Sequence, residues 1–404
     1  MPSPFQHASP DLLRRRTSAK WQRYEPDVLP LWVAEMDVDL PDAVVAAIRD
    51  AVERGDTGYP SGDGYARAFA AFAAERWGWH DLAVERTVNV ADVMRGIDEV
   101  LDVLSSRADA VVVNCPVYPP FYDHVRHSGR RLVEAPLGPD GRLDLTTLAT
   151  AFAEAARVGP RPAFLLCSPH NPTGTVHTST ELAAVAELAA QHGVRVLVDE
   201  IHAPLVLPGA TFVPYLTVPG GAAGFSIMSA SKAWNLAGIK AAVVVAGPDA
   251  VDDLARIPTW AAYGASHLGV IAHTAALRDG GGWLDALLEA LDANRHLLGD
   301  LLAEHLPGVR GRAPEGTYLA WLDCRALGLG EDPAERFLAD GRVALNAGPT
   351  FGTGGAGHVR LNFATSAEIL TEALRRMAGV AVRPELRPSA RATAGGAGGP
   401  RGRR

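Results

Sequence analysis

Three short stretches of this chain carry residue types that could do chemistry, and each follows an apolar run. The first is Ser229-Ala230-Ser231-Lys232-Ala233-Trp234-Asn235-Leu236-Ala237-Gly238, with a second lysine at Lys240. A lysine behind a buried strand loses proton affinity, and its neutral amine becomes available for Schiff-base chemistry. The second is Val196-Leu197-Val198-Asp199-Glu200, an acidic residue at the carboxyl end of a strand, where open α/β sheets bind ligands. The third is Ser168-Pro169-His170-Asn171-Pro172-Thr173-Gly174, in which two prolines around an asparagine build a rigid turn that aims one amide. Each also has a plain reading: Lys232 as a surface loop lysine, Asp199 as a helix cap, Asn171 as a turn residue. Their succession, each at a strand end, makes the set more specific than any member.

The elements that must position them alternate between strand and helix, the mark of an α/β protein with a mostly parallel sheet. Short apolar runs at Ala110–Asn114, Ala163–Cys167, Val194–Val198, Gly224–Met228 and Ala241–Ala246 read as buried strands. Helical spacing runs over Thr180–His192, stopped by Gly193, and more weakly over Pro119–Ser128. A leucine stripe from Trp283 to His305, ended by Pro307-Gly308, is the clearest long helix. After it come short strand-like stretches at Thr317–Leu322, Arg342–Leu345 and His358–Phe363. The expected organisation is a large domain over 45–282 and a smaller α/β domain over 283–386. An N-terminal segment, 1–44, joins the smaller domain and a dimer contact, and a basic, disordered tail spans 387–404.

With 404 residues, the chain is long enough for two domains and a built cleft between them. A formal net charge of −8 disfavours general binding to nucleic acid or an anionic membrane. No apolar run approaches the length of a membrane helix, and residues 1–21 lack the apolar core of a secretory signal. Three scattered cysteines, Cys115, Cys167 and Cys324, give neither a disulfide framework nor a zinc site. A soluble, cytoplasmic protein without a metal is the expectation.

Taken together, Asn171-Pro172-x-Gly174, Asp199-Glu200, and Ser231-Lys232 with Lys240 eight positions on resemble the signature of fold-type I pyridoxal 5′-phosphate (PLP) enzymes. The resemblance covers about residues 20 to 380. Finer motifs are similar to the MalY/PatB-type cystathionine β-lyases (cysteine-S-conjugate β-lyases) of the class I/II aminotransferase family. They are Leu31-Trp32-Val33-Ala34-Glu35-Met36-Asp37, Gly58-Tyr59-Pro60, Pro116-Val117-Tyr118-Pro119-Pro120-Phe121 and Cys167 to Gly174. Asp199-Glu200-Ile201-His202, Ser231 to Gly238 and Arg360-Leu361-Asn362-Phe363-Ala364-Thr365 complete the set.

The resemblance implies fold type I, a large domain with a mostly parallel sheet plus a smaller α/β domain, and PLP as cofactor. It implies that Lys232 forms the Schiff base and then removes the Cα proton, and that Asp199 pairs with the pyridinium nitrogen. Asn171 would donate to the ring's phenolic oxygen and Tyr118 would stack on the ring. The phosphate would meet the helix start at Asp92-Val93-Met94-Arg95-Gly96-Ile97, with Met94, Arg95, Ser229 and Lys240 as candidates and Tyr59 reaching it from the neighbouring subunit. The family more often has Gly where Asp92 stands, and Pro or a small residue where Arg95 stands. Two readings of Arg95 stay open, a charge beside the phosphate or an outward-pointing side chain. Arg360 would fork onto the substrate α-carboxylate, with Trp32 and Tyr59 beside it. His202 stands as either an orienter of Asp199 or a pocket wall.

Several reactions share the step that follows loss of the Cα proton, and the fold cannot separate them. The branch implies β-elimination of a thiolate from an L-cysteine thioether, a small amino-acid substrate, in a homodimer with shared active sites. An aminotransferase and a PLP-binding regulatory protein are the alternatives. An aminotransferase would require a 2-oxo acid; a regulator would keep its effect after Lys232→Ala.

Overall fold

The computed structural model describes residues 3–6 and 9–381, so the tail expected at 387–404 lies outside the described residues. A short strand β1 (Leu29–Pro30) precedes the central sheet. That sheet is built from β2 (Thr87–Val90), β3 (Ala110–Cys115), β4 (Arg131–Pro136), β5 (Ala163–Cys167), β6 (Arg195–Asp199), β7 (Phe225–Met228) and β8 (Ala242–Ala246). Their spatial order is β2-β8-β7-β6-β5-β3-β4. Only β8 runs against its neighbours; all the other pairings are parallel.

Strands β3, β5 and β6 are apolar along nearly their whole length because helices cover both faces of the sheet. Val111 and Val113 point into one core with Leu165, Leu197 and Ile227, while Ala110 and Val112 point into the other with Phe164, Leu166 and Val198. The two strands not read from sequence, β2 and β4, lie at the sheet's edges and mix exposed or half-buried residues with buried ones. An edge strand has one neighbour and a wetter face, so its sequence lacks the continuous apolar run.

A second, smaller sheet follows. Strands β9 (Leu319–Asp323), β11 (Asn346–Ala347) and β12 (His358–Asn362) form an antiparallel sheet in the order β11-β12-β9. Strand β10 (Val343–Ala344) pairs in parallel with β1, which ties the N-terminal segment to this region. The helix Gly281–His305 packs its leucine stripe inward, and the Asn294 amide on it donates to the carbonyls of Phe363 and Thr365 just past β12. Among the described residues, no helix is long and apolar enough to cross a membrane.

The topology decides where chemistry can occur. Parallel strands share one direction, so the carboxyl ends of β3, β5, β6 and β7 open onto one edge. They deliver Tyr118, Asn171, Asp199 and Lys232 to that edge, and β12 brings Arg360 to meet them.

Candidate active site

Asp199 is the last residue of β6, in register with Cys167 of β5 and Ile227 of β7. Its side chain is 4% exposed, and its Oδ1 accepts the Ile201 N–H at 3.0 Å. Burial pushes its carboxyl up to about 7; the Ile201 N–H and the nearby Lys232 charge only partly oppose this. Glu200 faces elsewhere. It accepts the Tyr215 N–H at 2.8 Å and the Ser226 hydroxyl, so it anchors the next turn beneath the sheet.

Lys232 lies in the turn after β7. That turn is fixed by Trp234, fully buried with its indole N–H on the Gly280 carbonyl, and by Asn235, which adopts φ 57°. Asparagine tolerates this left-handed conformation better than most residues. The Asn235 amide also clasps the Met36 backbone in both directions, accepting its N–H at 2.8 Å and donating to its carbonyl at 3.0 Å. The Lys232 amine donates to the Ala34 carbonyl at 3.0 Å. Desolvation, followed by repulsion from Arg360, lowers the amine to about 8.

Arg360 sits in β12 opposite Trp321 and Asn346, and only 2% of it is exposed. One guanidinium nitrogen donates to Asn171 Oδ1 at 3.0 Å and the other to the Trp32 carbonyl at 2.9 Å. Its Nε has no hydrogen-bond partner, and the Phe351 ring lies 5.2 Å from the guanidinium carbon. Burial lowers the group to about 10, yet it stays cationic at neutral pH. The bond to Asn171 fixes that amide with its oxygen toward Arg360, leaving the NH₂ as a donor toward the cleft. Tyr118, the N-cap residue of the helix Pro119–His127, stands edge-on to Phe121. Its hydroxyl is raised by burial and feels the charges of Arg360 and Asp199, which places it in the same cleft.

The helix Val93–Leu104 begins beside this cluster, with Asp92 as its N-cap. Met94 is half-buried at the helix start. Arg95 turns outward: it pairs with Glu99 at 2.7 Å and lies over the Trp260 ring. Ser229 is buried and donates to the Ala241 carbonyl at 2.7 Å, while the Lys240 amine lies 2.5 Å from Asp92. His202 is 3% exposed, stands edge-on to Tyr318 and makes no hydrogen bond to Asp199. Burial and the neighbouring Lys232 and Arg360 charges hold it far below the usual histidine value, so it is neutral. Trp32 is half-buried against Tyr24 and the Arg23 guanidinium. Tyr59 stands apart, 80% exposed and touching Tyr263.

Sequence reasoning missed several residues that hold this cluster. Tyr318 donates its hydroxyl to the Ala34 carbonyl at 2.9 Å, the same oxygen that receives Lys232. Asn362, two positions beyond Arg360, donates to the carbonyls of Val33 and Glu35. Lys20 and Asp37 form a buried ion pair at 2.8 Å, to which the Trp21 indole adds a hydrogen bond. Asn362 lay within a motif already singled out, one side chain along the same strand face from Arg360. Asp37 likewise closes the motif 31–37, while Tyr318 and Lys20 work through a backbone carbonyl or a partner distant in sequence, which no spacing reveals.

Comparison with known proteins places the chain in a family. A protein of Mycobacterium leprae named "Putative cystathionine beta-lyase" is 57% identical, over 93% of this chain and 97% of that protein. The "Cystathionine beta-lyase" of Corynebacterium glutamicum is 37% identical, over 91% of this chain and 98% of its own length. The crystal structure of cystalysin from Treponema denticola, which contains a pyridoxal 5′-phosphate cofactor, superposes with a TM-score of 0.85 at 25% identity. The match covers 94% of this chain and 99% of that one. Residues 26–377 match aminotransferase class I and II, and with the cleft assembled at the sheet's carboxyl edge, the chain belongs to that family.

Proposed function

We propose that this protein is a PLP-dependent C–S β-lyase. With one water, it converts an L-cysteine thioether, cystathionine or another cysteine S-conjugate, into a thiol, pyruvate and ammonia. The observation that carries the reading is the juxtaposition of a buried amine, a buried carboxylate and a buried guanidinium in one cleft. Each lacks an ionised partner bonded to it, and buried charges left so are costly unless a ligand completes them. PLP fits these vacant valences: an aldehyde for Lys232, a ring nitrogen for Asp199 and a phenolic oxygen for the Asn171 NH₂. Two relatives with cystathionine beta-lyase in their names, at 57% and 37% identity, support elimination over transamination.

When bound, PLP supplies an electron-withdrawing ring that takes up the electron pair left as the substrate Cα–H bond breaks. Lys232 would hold the coenzyme, and its amine would serve as the base for the Cα proton. In its neutral form that amine can donate to the Ala34 carbonyl and still offer its lone pair to that proton. Asp199 keeps a proton on the ring nitrogen. Arg360 fixes the α-carboxylate with a planar fork, so the Cβ–S bond is held in a set orientation. Tyr118 would cover the ring face, and neutral His202 with Tyr318 lines the cleft near Lys232. Met94 and the helix start, Ser229 and Lys240 would hold the phosphate, while Arg95 is turned to Glu99. Trp32 borders the carboxylate subsite through its carbonyl on Arg360.

The assembly we propose is a cytoplasmic homodimer in which Tyr59 completes the neighbour's site. Tyr59, Tyr263 and Trp260 are all more than half exposed, an aromatic group suited to meeting a second copy. Three free, buried cysteines suit a reducing compartment. A coupled pyruvate assay over a panel of L-cysteine thioethers, with and without added 2-oxo acid, tests the reaction. Catalytic pyruvate without an acceptor is expected. Turnover that appears only with a 2-oxo acid would replace the lyase by an aminotransferase.

A further inference from the structure

The region read above as the phosphate subsite holds a carboxylate of the protein's own. Asp92 caps the helix Val93–Leu104: its Oδ1 accepts the Arg95 N–H at 2.8 Å. Its Oδ2 lies 2.5 Å from the Lys240 amine. Burial alone would raise this carboxyl, but the hydrogen bonds from Lys240 and the Arg95 N–H outweigh it and hold it below the ordinary value. Asp92 is therefore ionised at neutral pH. Ser229, the third donor of the region, is already committed to the Ala241 carbonyl. The donors a phosphate would use, a helix N-terminus and a lysine, are thus met by an aspartate.

We propose that Asp92 is an intramolecular competitor for the cofactor's phosphate, loosening cofactor binding by occupying the Arg95 N–H and Lys240 until the phosphate displaces it. The proposal rests on the PLP reading of the site. A phosphate entering this place meets a like charge unless Asp92 swings away, and swinging away gives up a helix cap and an ion pair. The pair is partly exposed, with 32% of the Asp92 side chain and 55% of the Lys240 side chain accessible, so solvent screens it and the cap carries most of the effect. Removing Asp92 should tighten cofactor binding by about two- to tenfold. The aspartate leaves the substrate subsite untouched, because Arg360 and Asn171 bond to neither of its partners.

The test uses full-length apoenzyme in three forms: wild type, Asp92→Gly and Asp92→Asn. Asparagine keeps a capping oxygen while removing the charge, and glycine is itself a tolerated cap, so both variants should fold, with thermal unfolding as the check. Each is titrated with PLP and with pyridoxal, which lacks the phosphate, following tryptophan fluorescence and the visible chromophore. The adduct on Lys232 is fixed with borohydride and located by mass spectrometry. PLP should bind about two- to tenfold tighter to Asp92→Gly and by a smaller factor to Asp92→Asn, with pyridoxal affinity unchanged in both. Inorganic phosphate should compete with PLP more strongly in Asp92→Gly than in wild type. Equal or weaker PLP binding in both variants overturns the proposal, and so does a parallel gain for pyridoxal. If wild type forms no Lys232 adduct with either aldehyde, the coenzyme reading itself fails and takes the competitor with it.

Discussion

Replacing Arg360 separates anchoring of the substrate from support of the fold. Its guanidinium makes two hydrogen bonds to neutral oxygens, Asn171 Oδ1 and the Trp32 carbonyl, and keeps Nε without a partner. An α-carboxylate would receive charge-assisted bonds worth about 1.5–3 kcal/mol each. Lysine keeps the charge but loses the fork, so Arg360→Lys gives up one such bond, and kcat/KM falls by roughly 10- to 150-fold. Methionine removes the charge as well; losing about 3–5 kcal/mol lowers kcat/KM by roughly 150- to 4,000-fold. If the carboxylate is held equally before and during the reaction, the loss falls mainly on KM. Stability moves differently. Arg360→Met strands two acceptors at about 1–3 kcal/mol each but relieves a buried cation whose desolvation costs several kcal/mol. The thermal midpoint of the ligand-free protein should therefore stay within a few degrees of wild type. The assay is pyruvate release coupled to lactate dehydrogenase, run beside thermal unfolding. An Arg360→Lys enzyme within threefold of wild type would refute the anchor. A collapse in stability for Arg360→Met would make Arg360 a structural residue.

Two other perturbations probe the buried charges. The Asp199 carboxyl sits at about 7 in the fold against 3.8 unfolded, so the folded chain binds more protons between those values and loses stability as pH rises through them. From pH 5 to pH 7.5 this group alone should withdraw about 2.5 kcal/mol from the cofactor-free protein, while buried histidines such as His202, held low in the fold, act in the opposite sense over the same window. The thermal midpoint of Asp199→Asn relative to wild type should therefore rise from pH 5 to pH 7.5, the contributions of Glu200 and the histidines being common to both; a pH-independent difference would count against the assignment. Lys20→Met strands Asp37 in the core and should cost about 3–5 kcal/mol in urea unfolding, most of it recovered in Lys20→Met/Asp37→Leu. A single variant within 1 kcal/mol of wild type would contradict this.

The central sheet was legible where burial is complete. Strands β3, β5 and β6 are flanked on both faces, so their apolar runs had to be continuous, and their ends fall within a residue of the runs read from sequence. The edge strands β2 and β4 carried no such run. The site was legible where chemistry demands a residue type at a strand end, as with Lys232, Asp199 and Asn171. It was not legible where the partner is a carbonyl. Tyr318 meets Ala34 across 284 positions, and one backbone oxygen looks like any other in a sequence. Asp92 is intermediate, since its departure from the family pattern could be seen but its grip on Lys240 could not.

Those carbonyls explain why the segment 31–37 belongs to the site although it carries none of the reacting groups proposed here. Trp32 O receives Arg360, Val33 O and Glu35 O receive Asn362, and Ala34 O receives both Lys232 and Tyr318. Met36 is clasped by Asn235 from the lysine's own turn, and Asp37 N–H donates to the Ala364 carbonyl beyond β12. One strap therefore bonds to the turn carrying the amine and to the strand carrying the guanidinium, which lie on different sheets. Its far end is held by the buried Lys20–Asp37 pair. A displaced strap would shift Lys232 and Arg360 together, so loosening it should disturb amine reactivity and carboxylate binding in the same variant. A change confined to the Arg360 strand should disturb carboxylate binding alone. The strap, together with the direct Arg360–Asn171 bond, ties the amine-bearing turn of one sheet to the guanidinium-bearing strand of the other.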